Sequence, residues 1–499
     1  MMSAATQNPM PEPCDLSRVI VAAEALACLS KQSATRLQVL PIALQQISTG
    51  KALVVACADA NSAAMHERVC QHVHTGVNVQ LVSASPMELR EAIERNYKDA
   101  MSSERLLSVS SWRDYNAAVV ESMPDIAVTL VNTLLVKARQ MRASDIHLSP
   151  EATLIKIRFR VDGVLLNVTD LSLELHSKLL VRIKIMASLD IAESRFPQDG
   201  QFHRIVDAHK IDFRVSTFPT VNGENVVIRV LDSGVHFAKL DALNLPGIVQ
   251  TQLRQLIREP QGMIVVCGPT GAGKSTSLFA LLDEIDTSTR SVMTLEDPVE
   301  HRIDGIRQTS VDASQNWGYV QGLRALLRQD PDVLLVGEIR DKESCQIALN
   351  AVTTGHQVLT TVHASCAHSA LHRLWELDGS AGGLALGLSA IVSQRLLRCV
   401  CKSCHGNAEA DSIVRHCERC HGTGYNGRQV IMEVLVMTPE LKHMVENRAS
   451  IADIVVASEQ GGFISMHRYA RQLVESGITR QSEVERVLGG DKSLLVSCG

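Results

Sequence analysis

The sequence predicts a multidomain α/β protein, and three patterns support that prediction. A glycine-rich segment lies between a short apolar run at 263–267, typical of a buried strand, and a helix-like stretch at 276–282. Apolar and charged residues alternate strictly at 155–161, which indicates a half-buried strand. Between such strands, apolar residues recur with a helical period. With 499 residues, the chain has room for about three domains.

The N-terminal part of the chain predicts a flexible start at 1–16, a small α/β domain at 17–98 and a linker at 99–114. The first segment contains three prolines and little pattern. Inside the small domain, 52–58 has the composition of a strand and 86–97 that of an amphipathic helix. Nothing in this domain points to a chemical site.

A second α/β domain, with an antiparallel sheet, is predicted at 115–240. Its first helix carries an apolar stripe with a period of 3.6 residues. The stripe consists of Ala127, Leu130, Val131, Leu134 and Ala138. Strands with alternating residues follow, and Asp162-Gly163 directly after the strand at 155–161 is a strong hairpin signal.

Arg229 is the unusual charge of this second domain, because it lies within the apolar run 226–230. An unpaired guanidinium would be costly to bury. Either the side chain reaches the surface or an anion meets it, and phosphate is then the natural candidate.

The most informative motif of the chain is G-x-x-x-x-G-K-S at 268–275. Its glycines let successive backbone N–H groups face a polyphosphate, and the start of a helix adds a favourable partial charge. We expect Lys274 to reach the β- and γ-phosphates and Ser275 to place its hydroxyl on Mg²⁺. An ordinary glycine-rich turn is the alternative, but the flanking strand and helix favour a nucleotide site. The predicted nucleotide-binding residues are Gly268, Pro269, Thr270, Gly271, Ala272, Gly273, Lys274, Ser275 and Thr276.

Two further predicted strands deliver carboxylates that suit the hydrolysis of a nucleotide. Glu338 follows one apolar run, at a position where Mg²⁺ or its water shell needs an acidic partner. Glu296, Asp297 and Glu300 follow another. Their mutual repulsion calls for a cation, and one of them is a candidate for orienting the attacking water. The alternative is a solvated acidic loop.

His356 and His363 flank a predicted strand at 358–362. A single histidine at such a place is more often a satisfied core or turn residue than a functional one. Two of them at the ends of one strand make both residues candidates for sensing phosphate.

Four cysteines form two C-x₂-C pairs separated by twelve residues, namely Cys401, Cys404, Cys417 and Cys420. Four thiolates in this arrangement can enclose a zinc ion tetrahedrally, and such sites are usually structural. Other potential ligands nearby are Cys399, His405, His416 and His421. A disulfide framework would require an oxidising compartment, which no other feature of the sequence supports.

The bulk composition narrows the function. The net charge is −5, so the chain as a whole is not built to neutralise nucleic-acid phosphates, and no direct nucleic-acid partner is expected. No apolar run approaches the ~20 residues that a membrane span needs, and the N-terminus lacks the pattern of a signal peptide. We therefore expect a cytoplasmic protein.

Taken together, the motifs resemble those of the secretion ATPases of type II secretion and type IV pilus assembly, the GspE/PulE/PilB family. The likeness covers the chain from about 125 onward. The motifs of the second domain that carry it are 143–147, 158–163, 191–200, 214–217 and 223–224. Those of the nucleotide-binding domain are an aspartate box at 296–300, an atypical Walker B at 337–341 and a histidine box at 354–363.

The resemblance implies a RecA-like P-loop ATPase domain at 241–499, with a zinc knuckle at 399–425 and a helical tail. It also implies a PAS-like α/β domain before it and an N-terminal α/β adaptor domain. In that family the hexameric enzyme uses ATP hydrolysis to drive pseudopilus or pilus assembly at the cytoplasmic face of the inner membrane. Its adaptor docks on the cytoplasmic domain of an inner-membrane platform protein, so membrane association runs through partners.

Residue roles follow from the same resemblance. Glu300 matches the general base with Glu296 beside it, and Glu338 matches the Walker B glutamate. Arg214 and Arg229 match arginines that close over the γ-phosphate. A role between subunits is expected more weakly for Arg324 and Arg328.

The chain departs from the family at Gln201, where arginine is frequent, and at 364–366, where a Thr-Asn-Asp-like run is usual. The longer segment through which some relatives bind cyclic di-GMP has no clear copy, so that ligand is not predicted. Type II secretion is the favoured function. The alternatives are a type IV pilus extension motor, a motor for DNA uptake or transfer, and a nucleotide-bound scaffold without turnover.

Overall fold

The computed structural model describes residues 14–16, 19–21, 25–26, 28–29, 31–47, 50–73, 77–107, 126–206, 209–232, 239–299, 301–312, 317–378, 381–406 and 417–489. The chain divides into two compact units, residues 1–235 and 236–499. Most of the expected flexible start at 1–16 lies outside the described residues, and so does the candidate general base Glu300.

The first unit begins with a short strand, β1, and a small three-stranded sheet in the order β2-β3-β4. Strands β2 and β3 are antiparallel, whereas β3 and β4 are parallel. The strands are β1 Val19–Ile20, β2 Leu40–Ile47, β3 Gly50–Cys57 and β4 Val77–Ser83, and the helices are α1 Lys31–Leu37, α2 Ala63–Cys70 and α3 Pro86–Leu107. Both the strand and the helix expected here are therefore present.

Helix α3 is longer than the sequence pattern suggests. Pro86 occupies its first position, where the missing N–H of proline costs nothing. The helix then continues to Leu107, through most of the segment 99–114 that was expected to be a linker. The helical propensity of its long polar residues accounts for this extension, because polarity alone does not end a helix. Residues 108–125 are outside the described part of the chain.

The first unit also contains a seven-stranded sheet in the order β1-β8-β9-β10-β5-β6-β7, which is antiparallel except for the pair β1 and β8. Its further strands are β5 Ala143–Pro150, β6 Leu154–Val161, β7 Val164–Ser172, β8 Gln198–Val206, β9 His209–Thr220 and β10 Gly223–Asp232. The helices of this part are α4 Ile126–Gln140 and α5 His176–Met186. Strand β1 thus comes from the N-terminal domain but completes the sheet of the following one.

Alternation along the strands gives this sheet one apolar and one polar face. In β6, Ile155, Ile157 and Phe159 are fully buried, and the charged residues between them are half-buried on the other face. The apolar face packs on the predicted stripe of α4 in one hydrophobic core. The polar face is where Arg214 and Arg229 lie, opposite each other on β9 and β10.

A buried ion pair holds the loop between α5 and β8. The ammonium of Lys184 lies 2.8 Å from a carboxylate oxygen of Glu224 and donates a hydrogen bond of 2.6 Å to the carbonyl of Glu193. Both charged side chains are at least 95% buried, at 1% and 5% exposure. Because a buried charge without a partner is costly, the pair fixes the loop that contains the motif 191–200.

The second unit is built on a seven-stranded sheet in the order β13-β12-β14-β15-β11-β16-β17. All neighbours are parallel except β16 and β17. The strands are β11 Gly262–Cys267, β12 Val292–Glu296, β13 Arg307–Ser310, β14 Val333–Val336, β15 Gln357–Val362, β16 Leu388–Val400 and β17 Tyr425–Val436. Parallel strands end at a common edge, so β11, β12, β14 and β15 bring the predicted motifs to one place.

Both faces of this sheet are buried. Met263, Val265 and Cys267 of β11 belong to the core on one face, and Ile264 and Val266 to the core on the other. This explains why the central strands are continuous apolar runs and do not alternate. The helices of this unit are α6 Gly247–Arg258, α7 Lys274–Leu282, α8 Tyr319–Leu326, α9 Lys342–Thr353, α10 Ala367–Asp378, α11 Ala381–Gly387, α12 Pro439–Glu446, α13 Ile451–Gln460, α14 Met466–Glu475 and α15 Gln481–Leu488.

Candidate nucleotide site and metal centre

The glycine-rich segment forms a loop between β11 and α7, as the sequence predicts. Gly271 and Gly273 have φ values of 77° and 83°, a region that side chains with a Cβ rarely adopt. A Cβ on Gly268 would lie 2.7 Å from the carbonyl oxygen of Gln394, so a side chain has no space there. Gly273 is the N-cap of α7, and the helix therefore begins with its free N–H groups at the loop.

Lys274 folds back over this loop. Its ammonium donates hydrogen bonds to the carbonyls of Gly268 and Pro269, at 2.9 and 3.1 Å. Burial lowers the pKa of Lys274, and the nearby carboxylate of Glu338 acts in the opposite direction. Ser275 is exposed on the first turn of α7, so its hydroxyl is available to a cation.

Glu338 lies at the same edge of the sheet, two residues after β14. Its side chain is only 15% exposed and is bonded to the guanidinium of Arg340, and a second carboxylate oxygen lies 3.2 Å from Nε2 of His363. The hydrogen bond with Glu338 raises the pKa of Arg340. The predicted Walker B glutamate and one of the two predicted histidines are therefore in direct contact.

A side chain on the residue before Glu338 would collide with Tyr319, which approaches Gly337 closely. A Cβ on Gly337 would lie 2.6 Å from the hydroxyl oxygen of Tyr319 and 3.2 Å from the carbonyl of Leu295. Burial, followed by the charges of Asp297 and Glu338, raises the pKa of the Tyr319 hydroxyl. Tyr319 is thus a neutral hydroxyl among the carboxylates of this edge.

The carboxylates after β12 differ in their surroundings. Glu296 is 7% exposed, and its carboxylate accepts hydrogen bonds from the Thr294 hydroxyl and from Nε2 of Gln308, the latter at 3.0 Å. Asp297 is exposed and lies 3.5 Å from the guanidinium of Arg340. Glu296 is thereby anchored in the sheet, which suits a supporting role better than direct attack on a substrate.

His356 is placed differently from His363. It precedes β15, and its carbonyl accepts the N–H of Gly262 at the start of β11. Its Nδ1 lies 2.8 Å from the carbonyl oxygen of Ala351. His356 therefore lies at the edge of the sheet opposite the glycine-rich loop, and within the second unit it is satisfied by local backbone.

In the first unit, the guanidinium of Arg229 is not buried. Its side chain is 58% exposed, and its Nε lies 3.3 Å from a carboxylate oxygen of Asp145, whose other oxygen is 3.5 Å from Arg160. Of the two alternatives that the sequence left open, the structure shows the first: the side chain of Arg229 reaches the surface. Arg229 and Arg214 line a cavity of about 580 Å³ together with Asp199, Gly200, Gln201, Val215, Ser216 and Val227.

The two arginines expected to act between subunits lie on or just after α8. Arg324 is exposed and pairs with Glu343 at 2.7 Å. Arg328 is also exposed and donates to the carbonyl of Arg324 at 2.8 Å. Both side chains face the surface of the second unit.

The four cysteines of the C-x₂-C pairs converge, and their sulfurs all lie within 4.8 Å of one another. The Cys401–Cys417 and Cys404–Cys420 sulfur distances are 3.8 and 3.6 Å. A tetrahedral site with Zn–S bonds of about 2.3 Å places its sulfurs about 3.8 Å apart. The set therefore fits a Cys₄ zinc site and has no need of Cys399 or the neighbouring histidines.

The two halves of this cluster are built alike, as a Cys-x-x-Cys-His-Gly turn that occurs twice. The N–H of His405 donates to the carbonyl of Cys401, and that of His421 to Cys417, both at 2.8 Å. Both histidines have positive φ, 52° and 49°. Both are exposed, and the convergent group of potential ligands consists of the four cysteines without them.

Polar residues of β16 and β17 also contribute to the site, although the sequence did not predict them. Gln394 and Arg395 of β16 lie directly beside the glycine-rich loop, and Nη2 of Arg395 donates to the carbonyl of Ser365 at 2.5 Å. Glu433 of β17 is buried and accepts the N–H groups of Ala367 and Met466, at 2.9 and 3.1 Å. The only sequence feature that could have indicated Gln394 and Arg395 is the run of three polar residues at 393–395 inside an otherwise apolar strand.

A parallel sheet with a glycine-rich loop, a lysine and an exposed serine at the end of its central strand, and strand-terminal carboxylates beside them, defines a P-loop ATPase of the RecA-like class. The expected α/β fold class is confirmed. In the described part of the chain, no helix has both the length and the apolar character for crossing a bilayer.

The chain belongs to the family described as Type II/IV secretion system protein, whose model matches residues 121–486. A second family model, the MshEN domain, matches residues 9–103. The resemblance inferred from the motifs is thus confirmed, and the N-terminal likeness is to a domain with its own family model.

Several curated proteins are similar over most of the chain. Type II secretion system protein HxcR of Pseudomonas aeruginosa is 41% identical over 360 residues, which cover 72% of this chain and 77% of HxcR. Type II secretion system ATPase E of Vibrio cholerae is 36% identical over 451 residues, which cover 84% of this chain and 88% of the Vibrio protein.

Solved structures show the same fold. The ATPase DotB of Legionella pneumophila superposes with a TM-score of 0.57 at 21% identity, covering 76% of this chain and 98% of DotB. The pilus retraction motor PilT with bound ADP superposes with a TM-score of 0.51 at 25% identity, covering 72% of this chain and 97% of PilT.

Proposed function

We propose that this protein is a Mg²⁺-dependent ATPase that works as a homohexamer and powers pseudopilus assembly for type II secretion. The observation that carries the proposal is the meeting of Lys274, Glu338 and His363 at one edge of the sheet, in a chain similar to proteins named type II secretion ATPases. An intact set of carboxylates favours turnover over a nucleotide-bound scaffold, which would need none of them.

The residues of the second unit divide the work. Backbone N–H groups of 268–275 and the ammonium of Lys274 bind the phosphates. Ser275 and Glu338 would hold the Mg²⁺, whose charge would neutralise the charge that develops on the phosphates. Glu300 is the general base, supported by the anchored Glu296, and His363 connects Glu338 to the end of β15.

Arg214 and Arg229 belong to the proposal as contacts to the γ-phosphate. Their support is the exposed position of Arg229 on a polar sheet face and the cavity that both arginines line. Asp145 restrains Arg229, so the guanidinium is presented in a fixed direction. The position of His356 at the edge opposite the glycine-rich loop gives no support to its expected role in phosphate sensing.

The Cys401, Cys404, Cys417 and Cys420 cluster is proposed to hold zinc in a structural role. All four positions of a tetrahedral shell are occupied by thiols, so no position is open for a substrate. Folding of this segment and metal binding are then coupled.

The place of action is proposed to be the cytoplasmic face of the inner membrane, reached through a platform protein that binds the N-terminal domain. The match of residues 9–103 to a family model of their own supports a distinct N-terminal domain for such docking. No contact with nucleic acid is expected from a chain with a net charge of −5.

A type IV pilus extension motor is the second candidate, and the likeness to the pilus retraction motor PilT favours it. A DNA-transfer motor has no comparable support. Complementation distinguishes the first two functions: the gene should restore secretion in a strain lacking its type II ATPase but should not restore pili in a strain lacking its extension motor.

The biochemical test is ATP hydrolysis by the purified protein, compared with Glu300→Gln and sized on a column. We expect turnover by an oligomer of the wild type and ATP binding without turnover by the variant. Equal hydrolysis by both would show that Glu300 is not the base. Binding without hydrolysis by a wild-type hexamer would instead support the scaffold.

A further inference from the structure

Gln394 lies one residue beyond the point where β16 stops pairing with the central strand β11. The last pair of that parallel register is Cys267 with Ser393. The carbonyl oxygen of Gln394 lies 2.7 Å from the position that a Cβ on Gly268 would take. Strand β16 therefore supports the glycine-rich loop from its first residue.

The side chain of Gln394 reaches the middle of the same loop. It is 0% exposed, and its Nε2 donates a hydrogen bond of 2.7 Å to the carbonyl of Ala272. The Cβ position of Gly273 lies 3.4 Å from this nitrogen, so the amide is enclosed by the loop on two sides.

This hydrogen bond determines where a backbone donor points. A trans peptide unit is planar, and its C=O and N–H groups point in opposite directions. Since Gln394 holds the carbonyl of Ala272 towards the sheet, the N–H of Gly273 points away from the sheet. That is the direction in which a nucleotide phosphate must approach a loop whose other face rests on the sheet.

Packing alone does not account for an amide at this position. The Oε1 atom of Gln394 is buried, and no hydrogen-bond partner for it exists among the described residues. An unsatisfied buried acceptor is destabilising, and an apolar side chain of the same length would avoid it. The polar group is therefore explained by its bond to the loop and not by the core.

We propose that Gln394 is a positioning residue of the phosphate loop, which aims the N–H of Gly273 at the bound nucleotide through its hydrogen bond to Ala272. The proposal rests on the assignment of this loop as the nucleotide site. Gln394 does not touch the reacting atoms, so its loss weakens nucleotide binding in the ground and transition states alike. In kinetic terms, KM rises while kcat changes little.

The test is the affinity of the full-length protein for Mg²⁺-ADP, with Gln394→Met as the variant. Met has nearly the same length and cannot donate to Ala272. We expect ADP binding to weaken about 3- to 10-fold, as the loss of one hydrogen bond predicts, while the thermal midpoint stays unchanged or rises. KM for ATP should rise by a similar factor.

Gln357 provides a matched control on strand β15, which pairs with β11 on the side away from β16. It is 1% exposed, its Nε2 donates to the carbonyl of Leu256 at 2.9 Å, and its Oε1 is likewise buried with no partner in the described part of the chain. Gln357 lies at the start of β15, at the end of the parallel strands opposite the glycine-rich loop. Gln357→Met should change stability only and leave the affinity for ADP at the wild-type value.

Wild-type affinity for ADP in Gln394→Met, or an equal loss in both variants, would overturn the proposal. If Gln394→Met does not fold, Gln394→Asn takes its place, because its amide is one methylene too short to reach Ala272; unchanged affinity in that variant would overturn the proposal too. A wild type that binds ADP but never hydrolyses ATP would contradict the ATPase function and leave the role of Gln394 testable.

Discussion

The guanidinium of Arg398, on β16, donates hydrogen bonds of 3.0 and 2.7 Å to one oxygen of the buried Glu483 carboxylate. The N–H of Arg398 donates to the other oxygen at 3.1 Å. Arg486 adds two further bonds from α15 itself. One fully buried carboxylate thus fastens the last described helix to the strand that also supports the glycine-rich loop.

Stability should depend on this carboxylate at low pH. Burial by itself would raise the pKa of Glu483, but the hydrogen bonds from Arg486 and Arg398 offset it and lower the pKa to about 2. Because the folded pKa lies below the unfolded one, the stabilisation is complete above the unfolded pKa. It is lost as the pH falls from about 5 towards 2. The full shift corresponds to about 3 kcal/mol, of which urea unfolding should show a loss of about 2 kcal/mol between pH 7 and pH 3.

Replacing Glu483 should lower the free energy of unfolding at neutral pH as well. Glu483→Gln leaves two partly buried guanidinium groups without their counter-charge, and we expect a loss of about 3 kcal/mol in the free energy of unfolding. Glu485→Gln, an exposed neighbour on the same helix, is the control and should cost under 0.5 kcal/mol. A similar small effect for both would contradict the assigned role.

Hydrolysis should require Glu338. We expect Glu338→Gln to lower kcat by about 100-fold or more while ATP is still bound, because the proposed role of this carboxylate is to hold Mg²⁺ and its water and not to contact the nucleobase or sugar. Glu343→Gln removes an exposed carboxylate nearby and should retain activity. Phosphate release and equilibrium binding, measured on the same preparations, separate the two effects.

Gly337 should tolerate a methyl group only if Tyr319 changes with it. Gly337→Ala places a Cβ 2.6 Å from the Tyr319 hydroxyl, so either the ring or Glu338 must move. We expect a loss of ATPase activity that Gly337→Ala/Tyr319→Phe partly restores. Tyr319→Phe alone serves as the reference, and a double variant no better than Gly337→Ala would contradict the steric explanation.

Metal content should follow the cysteine cluster. We expect one zinc per chain in the wild type, and loss of zinc together with a lower thermal midpoint in Cys404→Ser. Cys345→Ser is the control, because Cys345 is buried in the sheet core away from the cluster. Elemental analysis finding zinc well below one per chain in the wild type would contradict the site.

Local sequence patterns predicted which segments meet at the glycine-rich loop, because each signal depends on neighbours in sequence. The loop 268–275 has glycines where φ is positive, and Glu338 follows an apolar strand. A parallel sheet then brings strand ends together by its geometry alone. The pairing of His363 with Glu338 follows from the same rule, and the separation of His356 from it follows from the direction of β15.

Contacts between residues distant in sequence could not be predicted. Gln394 and Ala272 are 122 positions apart, and Arg398 and Glu483 are 85 apart. The polar run 393–395 marks Gln394 but not its partner Ala272. Arg398 and Glu483 have no local signature, because a buried polar side chain looks like any other until its partner is placed. The extension of α3 to Leu107 was missed for another reason: polar composition suits an exposed helix as well as a linker.

The sharing of β1 between two domains has a practical consequence for dissection of the protein. Val19 and Ile20 pair with Ile205 and Val206 along the edge of β8. A truncated chain that begins after the N-terminal domain would uncover that edge, whose free N–H and C=O groups can pair with another molecule. Insolubility of such a fragment would then report a missing strand, even if every residue of the motor itself were intact.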